Sequence, residues 1–220
     1  MKSKAISLYI VLFFLFFFSS RASFVLLPME AEGQQNHLKA YGITYWALDK
    51  SYKVSWLLNY RGGSFLLPDA PEIRKECQIR GVTFEVLSDV ATNSILEDIS
   101  SPSQNMETVV LEKAPKIAVY TPKGKQPWDD AVTMVLTYAE IPFTEVYDEE
   151  VLSDQLLLYD WLHLHHEDFT GQYGKFFGNY RSTPWYIQQK AEAEALAKRL
   201  GYNKVSEEKL AVAKKIRDFV

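Results

Sequence analysis

The stretch Lys116-Ile117-Ala118-Val119-Tyr120 is a short apolar run behind one lysine, and it predicts a buried strand. Pro127-Trp128-Asp129-Asp130 then opens a helix that reaches Ile141, because aspartates suit the positive N-terminus of a helix. Phe143 to Tyr147 is the next predicted strand, and Leu157 to His165 is another. Strands separated by helices pair in parallel through right-handed crossovers. We therefore predict an α/β fold with an open, doubly wound, mainly parallel sheet.

The same alternation precedes this stretch. The predicted strands are Phe24 to Leu27, Lys53 to Asn59 and Val82 to Leu87. The predicted helices are His37 to Lys50 behind the cap Asn36, Pro71 to Arg80 before Gly81, and one capped by Thr92 or Asn93 that reaches Ile99. In the first of these helices, the pattern predicts one buried stripe of Leu38, Tyr41, Tyr45 and Leu48.

Two further helices are predicted at the end of the chain. The first runs from Trp185 to Leu200, and the second begins at Ser206 and has an apolar side of Leu210, Ala213, Ile216 and Val220. Ser100 to Asn105 is the best candidate for a linker. We therefore expect an N-terminal α/β unit over residues 23–100 and a second over residues 106–220 that is truncated at its C-terminus.

The first residues have the plan of a secretory signal peptide. Lys2 and Lys4 precede an apolar run from Ala5 to Phe18, which is short for a membrane-spanning helix. Ser20 and Ala22 are the small residues expected before a cleavage site. We predict a signal peptide over residues 1–22, cleavage after Ala22, and a mature protein that is periplasmic or extracellular; an uncleaved N-terminal anchor is the alternative.

Composition excludes several function classes. A formal net charge of −4 argues against a general nucleic-acid or anionic-membrane binder. The lone cysteine, Cys77, excludes an internal disulfide framework and any cysteine-based zinc site. It is predicted to be a small buried residue on a helix, and so a poor nucleophile. The sequence implies no cofactor, no membrane contact after cleavage and no identifiable catalytic residue.

Ligands of open α/β sheets bind outside the carboxyl ends of the strands. Four predicted loops leave those ends and carry polar residues beyond the needs of a turn: Glu30 to Asn36, Asn59 to Ser64, Thr121 to Asp130, and His165 to Gly174. The candidate residues for binding a small polar ligand are Asn59, Arg61, Asp129, His165, His166, Glu167 and Asp168.

The densest polar cluster surrounds the strand that ends at His165. His163 and His165 share one face of that strand because side chains alternate with period two, so they are weak candidates for a metal pair. A structural hydrogen-bond network is the alternative for the histidines. For Arg61-Gly62-Gly63, the alternatives are an anion site and a plain turn.

Four segments resemble a known family: residues 37–42 (HLKAYG), 56–65 (WLLNYRGGSF), 126–131 (QPWDDA) and 160–174 (DWLHLHHEDFTGQYG). They are similar to exported proteins of Bacteroidetes that often carry the name asparagine synthetase B. The resemblance covers nearly all of the predicted mature chain. It implies a flavodoxin-like fold of the class I glutamine amidotransferase type, and a longer protein with a Gly-rich strand and a cysteine-bearing turn after Val220.

The sequence lacks the residues that a glutamine-dependent asparagine synthetase requires. A glutamine-dependent asparagine synthetase uses a cysteine exposed after Met1 is removed, but Lys2 stands there. The sequence Arg61-Gly62-Gly63-Ser64-Phe65 does not match a Ser-Gly-Gly-x-Asp-Ser nucleotide loop. We therefore expect an exported domain that binds a small polar ligand without synthetase chemistry. The alternatives are an amidohydrolase or glutaminase-like enzyme whose nucleophile lies beyond this chain, and an envelope structural module.

Overall fold

The computed structural model describes residues 24–121, 131–164 and 172–220. The chain divides into two compact units, and the boundary lies between Ala114 and Pro115. This boundary is later than the expected linker at Ser100 to Asn105, because a strand over Glu107–Leu111 pairs within the first unit. Both units combine helices and strands, so the α/β class holds for the chain.

The first unit contains an antiparallel sheet. Its strands are β1 (Phe24–Leu27), β2 (Val54–Leu58), β3 (Phe65–Pro68), β4 (Glu85–Leu87) and β5 (Glu107–Leu111), in the order β4-β1-β3-β2-β5. Every neighbouring pair is antiparallel, so the predicted parallel pairing is wrong for this unit. The reason is the short turn between β2 and β3, which allows a hairpin but no crossover helix.

Three helices accompany this sheet, and local caps set their ends: α1 (His37–Asp49), α2 (Pro71–Arg80) and α3 (Asp89–Ser100). The Asn36 side chain accepts a hydrogen bond from the Lys39 amide at 3.2 Å, as its capping role requires. Ser88 caps α3 by accepting from the Ala91 amide, so the helix begins earlier than the predicted caps Thr92 or Asn93.

The core of the first unit uses the small side of α1. Ala40, Ile43 and Ala47 are buried against the strands, whereas Tyr41 of the predicted stripe is 45% exposed. Small side chains let a helix backbone approach a sheet closely, which offsets the loss of larger apolar groups. Cys77 lies on α2 and is fully buried in the same cluster.

The second unit contains a parallel sheet, as predicted for this half of the chain. Its strands are β6 (Ile117–Tyr120), β7 (Phe143–Val146) and β8 (Trp161–Leu164), with β6 in the middle. The described helices are α4 (Ala131–Ala139), α5 (Asp148–Leu152), α6 (Gln172–Tyr180), α7 (Pro184–Arg199) and α8 (Val205–Phe219). A short 3-10 helix over Gln155–Leu158 occupies the start of the predicted long strand.

The register of the second sheet brings three strand ends together. Tyr120 at the end of β6 is paired with Val146 of β7 and with Leu164 of β8. All four residues of β6 are buried, and Ala118 and Tyr120 face a cluster that includes Val212 of α8. The carboxyl edge of this sheet is therefore one continuous region.

The buried side of α8 differs from the predicted one. Val212 and Ile216 are buried, but Leu210 is 57% exposed and Val220 is fully exposed. Glu208 and Lys209 are buried instead. Among the residues that the structure describes, no helix is long and apolar enough to cross a membrane.

Candidate functional site

A cluster of polar side chains lies at the carboxyl edge of the parallel sheet. Tyr120 is the last residue of β6, and Tyr147 and Asp148 follow β7 directly. Glu208 and Lys209 come from the first turns of α8. We refer to Tyr120, Tyr147, Asp148, Glu208 and Lys209 as the edge cluster. It occupies the position where open α/β sheets bind ligands.

Asp148 is at the centre of the edge cluster and is fully buried. The Tyr120 hydroxyl donates a hydrogen bond of 2.6 Å to its Oδ1. The Lys209 ammonium donates to its Oδ2 and forms an ion pair with it. Both carboxylate oxygens therefore have a donor, which a buried charge requires.

Lys209 also contacts both tyrosines. Its Nζ lies 3.1 Å from the Tyr147 hydroxyl, 3.4 Å from the Tyr120 hydroxyl and 4.4 Å from the centre of the Tyr147 ring. Burial opposes the charge on Lys209, but Tyr147 and Asp148 outweigh it, so the pKa of this lysine is raised. Lys209 is therefore an ammonium ion at neutral pH.

Glu208 has the least satisfied polar group of the edge cluster. It is 1% exposed, and its Oε1 has no hydrogen-bond partner. Desolvation raises the pKa of this carboxyl to about 8, and the neighbouring carboxyl of Asp148 adds to the effect. Glu208 is therefore a neutral acid at neutral pH, beside the carboxylate of Asp148.

The two tyrosines are hydrogen-bonding groups. Burial raises the pKa of Tyr120 and of Tyr147, so both remain phenols. Their rings lie 5.2 Å apart between centres. At neutral pH the edge cluster contains one cation, one anion, one neutral acid and two phenols. This arrangement suits the binding of a polar group, and it contains no serine or cysteine nucleophile.

Five of the predicted ligand residues lie outside the described residues: Asp129, His165, His166, Glu167 and Asp168. His163 is described; it is half-buried on β8 and is paired with Val119. Within the described ranges, no group of three or more His, Cys, Asp or Glu side chains is arranged to hold a metal ion.

Arg61 is in the first unit, and it lies between two carboxylates. Its Nε donates to Glu30 at 2.9 Å, and its Nη2 donates to Glu30 at 2.6 Å and to Glu85 at 2.7 Å. The bond from Arg61 lowers the pKa of Glu30, and the two carboxylates raise the pKa of Arg61. We call Arg61, Glu30 and Glu85 the arginine clamp. Its bonds favour a structural role over an anion site.

The turn that carries Arg61 is fastened to the end of β1. The Met29 amide donates to the Arg61 carbonyl at 3.1 Å. Gly62 has a φ of +79°, and a Cβ there would lie 2.4 Å from the Met29 carbonyl oxygen, so the turn requires glycine. Asn59 has a φ of +61°, and its side-chain amide donates to the Asn105 carbonyl at 2.7 Å.

The comparisons with known proteins give no further information, because no family model, curated protein or solved structure matches the chain. The candidate site therefore rests on the geometry alone. Sequence reasoning missed the edge cluster, although Tyr147 is the last residue of the strand predicted over Phe143 to Tyr147, which the structure ends at Val146, and Asp148 comes next. The rule that ligands bind at the carboxyl ends of the strands, which made His165 a candidate, applies equally to Tyr147 and Asp148. The sequence does not indicate that Glu208 and Lys209 are buried, because charged residues in the first turns of a helix are usually solvated.

Proposed function

We propose that this protein is an exported α/β protein whose second unit binds a small polar ligand at the carboxyl edge of β6, β7 and β8. The observation that carries the proposal is the edge cluster, in which the buried Oε1 of Glu208 has no partner. An unpaired buried polar atom costs free energy, and a ligand that supplies its hydrogen bond recovers that cost.

The finer fold is part of the proposal. Three parallel strands with β6 in the middle are consistent with the start of a flavodoxin-like, class I glutamine amidotransferase-like sheet. The resemblance of residues 160–174 to exported proteins named asparagine synthetase B agrees with this topology.

The lone cysteine does not serve as a nucleophile in this proposal. Cys77 is fully buried, and its burial raises the pKa of the thiol to about 12. A thiol in that state supplies no thiolate at neutral pH. Because the sequence has neither the cysteine after Met1 nor the nucleotide loop of a synthetase, purified protein should make no asparagine from aspartate, glutamine and ATP.

Export and ligand binding have separate tests. Mass spectrometry of the protein from its host should find Ser23 at the N-terminus, and an intact Met1 would contradict export. The residues that support export, 1–22, lie outside the described residues.

Binding is tested by titrating the isotope-labelled mature protein with methylammonium, acetate, phosphate and glucose at millimolar concentration. At least one probe should shift the NMR signals of Tyr120, Tyr147 and Asp148 and leave those of β3 unchanged. If no probe shifts the edge-cluster signals, the binding proposal fails.

A further inference from the structure

We propose that the group recognised at the edge cluster is a small primary ammonium group, bound at the carboxyl oxygen Oε1 of Glu208, beside the carboxylate of Asp148. This inference rests on the proposed function and deepens it, because it names the chemical class of the ligand. The class includes the ammonium ion, simple alkylamines and the amino end of a larger ligand.

In the edge cluster one acceptor is left without a hydrogen bond, and the single cationic donor, Lys209, has its acceptors already. An ammonium group has three N–H donors, and Lys209 Nζ has three acceptors within 3.4 Å in Asp148, Tyr147 and Tyr120. The Tyr120 hydroxyl already donates to Asp148. The free acceptor is Oε1 of Glu208. A ligand that fits must therefore bring donors.

The charge inventory favours a cation. With both carboxyls ionised, the edge cluster would contain two anions and the single cation Lys209. Glu208 avoids this state by retaining a proton beside Asp148, since its pKa is about 8. A bound ammonium group would replace that proton and leave two cations beside two carboxylates. An anionic ligand would instead add a third anion without finding a free cation.

Lys209 demonstrates that these surroundings accept an ammonium group. Its Nζ lies against a carboxylate, two phenol oxygens and one face of the Tyr147 ring. Aromatic faces attract cations, and the Tyr120 ring lies 5.2 Å from that of Tyr147. Asp148 and Glu208 are buried, whereas Tyr147 is half-buried, so the edge cluster meets the surface of the second unit at this tyrosine. Because both carboxyls are buried, the inference is limited to a small ammonium group.

Binding has a defined proton balance. Glu208 loses its carboxyl proton to the buffer, and the ammonium nitrogen donates a hydrogen bond to the resulting carboxylate. Near pH 7 each bound ammonium group should therefore release close to one proton. Calorimetric titration in cacodylate and in MOPS measures this release, because the two buffers take up protons with different enthalpies and neither contains a primary ammonium group.

The direct experiment measures the melting temperature of the mature protein in methylammonium chloride at pH 7. Tetramethylammonium chloride at the same ionic strength is the reference, because it has the charge but no N–H donor. Methylammonium should raise Tm by about 2–4 °C once its concentration is about five times its Kd. The reference salt should leave Tm unchanged.

Two matched variants locate the response on α8. Glu208→Gln keeps the size of the side chain but removes the carboxylate, so it should abolish the rise in Tm. Glu207→Gln makes the same charge change at the adjacent exposed position and should retain it. If Glu208→Gln does not fold, as judged by circular dichroism, the proton release of the unaltered protein decides the question.

The inference is overturned if both salts raise Tm equally, if the rise in Tm persists in Glu208→Gln, or if binding releases no proton. It is also overturned if acetate, phosphate or glucose shifts the edge-cluster signals and methylammonium does not, although the proposed function then stands. If none of the four probes shifts those signals, both proposals fail.

Discussion

The arginine clamp of the first unit and the edge cluster of the second share the same ingredients, namely one cation and two carboxyl groups, but they differ in their exposure to water. The Arg61 side chain is 29% exposed, and Glu30 and Glu85 are also partly exposed. The Lys209 side chain is 7% exposed, and Asp148 is fully buried. The comparison shows that similar charged groups form two different kinds of site, depending on whether they are buried.

The carboxyl groups respond in opposite directions. The bond from Arg61 lowers the pKa of Glu30, which favours the charged carboxylate. Desolvation raises the pKa of Glu208, so only one carboxylate of the edge cluster is charged at neutral pH. Water screens the second negative charge in the clamp, whereas a proton neutralises it in the edge cluster.

The choice of cation matches this difference. The planar guanidinium of Arg61 donates to two carboxylates at once, which fastens β4 and the turn before β3 to the end of β1. The compact ammonium of Lys209 is directed to Asp148 and two phenols instead. The clamp therefore has few donors to spare, and the edge cluster retains an unused acceptor.

The largest effect is expected from Lys209→Met, which leaves Asp148 as a buried charge without its partner. Breaking such a pair costs about 3–5 kcal/mol of the free energy of unfolding. Hydrogen exchange of the β6 amides measures the stability of the second unit locally. The matched control is Lys214→Met, which removes the same charge from an exposed position of α8. Equal effects of the two substitutions would contradict the importance of the buried pair.

The next largest effect concerns Glu208→Gln and pH. The folded-state pKa of Glu208 lies above its ordinary value of 4.5, so the folded protein holds this proton more tightly than the unfolded chain. The resulting stability is complete below pH 4.5 and is lost as the pH rises through about 8. Relative to Glu208→Gln, the free energy of unfolding of the unaltered protein should fall by up to about 4 kcal/mol over this range, at about 1.4 kcal/mol per pH unit.

Urea denaturation at several pH values measures this difference, with Glu207→Gln as the control that keeps the pH dependence. If the free energy of unfolding depends on pH in the same way for the unaltered protein and for Glu208→Gln, then Glu208 does not titrate in this range.

A smaller effect is expected from Arg61→Met, because the clamp is in contact with water. Exposed and partly exposed ion pairs contribute about 1 kcal/mol or less, and salt screens them. Hydrogen exchange of the β3 amides should show a modest loss of stability, and this loss should be smaller in about 0.5 M NaCl. The Lys209→Met effect should not shrink in the same way. If both effects respond equally to salt, the difference in burial does not govern the two sites.

The sequence predicts the second unit better than the first, and two short segments explain why. Phe65–Pro68 was not predicted as a strand, although the turn over residues 59–64 has the glycines of a hairpin. Glu107–Leu111 was missed because it follows a segment interpreted as a linker. Both strands depend on pairing with β2, which is a tertiary contact that local periodicity does not encode.

The candidate site, too, could be predicted from the sequence only in part. The carboxyl edge was predicted from the order of strands and helices, because β6 and β7 have clear apolar patterns. Lys209 was not predicted, since its partner Asp148 is distant in sequence and the rule for helices places charged residues in water. The ion pair overrides that rule, so Leu210 is exposed where an apolar side was expected.

The smallest effect is expected at Asn59, where backbone and side chain contribute separately. Its φ of +61° is a conformation that glycine adopts freely and alanine does not. Its side chain adds one exposed hydrogen bond to Asn105. Asn59→Gly should therefore change the stability of the first unit by less than about 0.5 kcal/mol, and Asn59→Ala should cost about 1 kcal/mol.

Exchange of the β2 amides measures both variants at Asn59. If they lose the same stability, the hydrogen bond to Asn105 outweighs the backbone conformation. If Asn59→Gly weakens ligand binding while stability is unchanged, Asn59 belongs to a binding site as the sequence predicts. Exposed contacts would then carry function in the first unit, and the contrast with the buried edge cluster would be one of location and not of role.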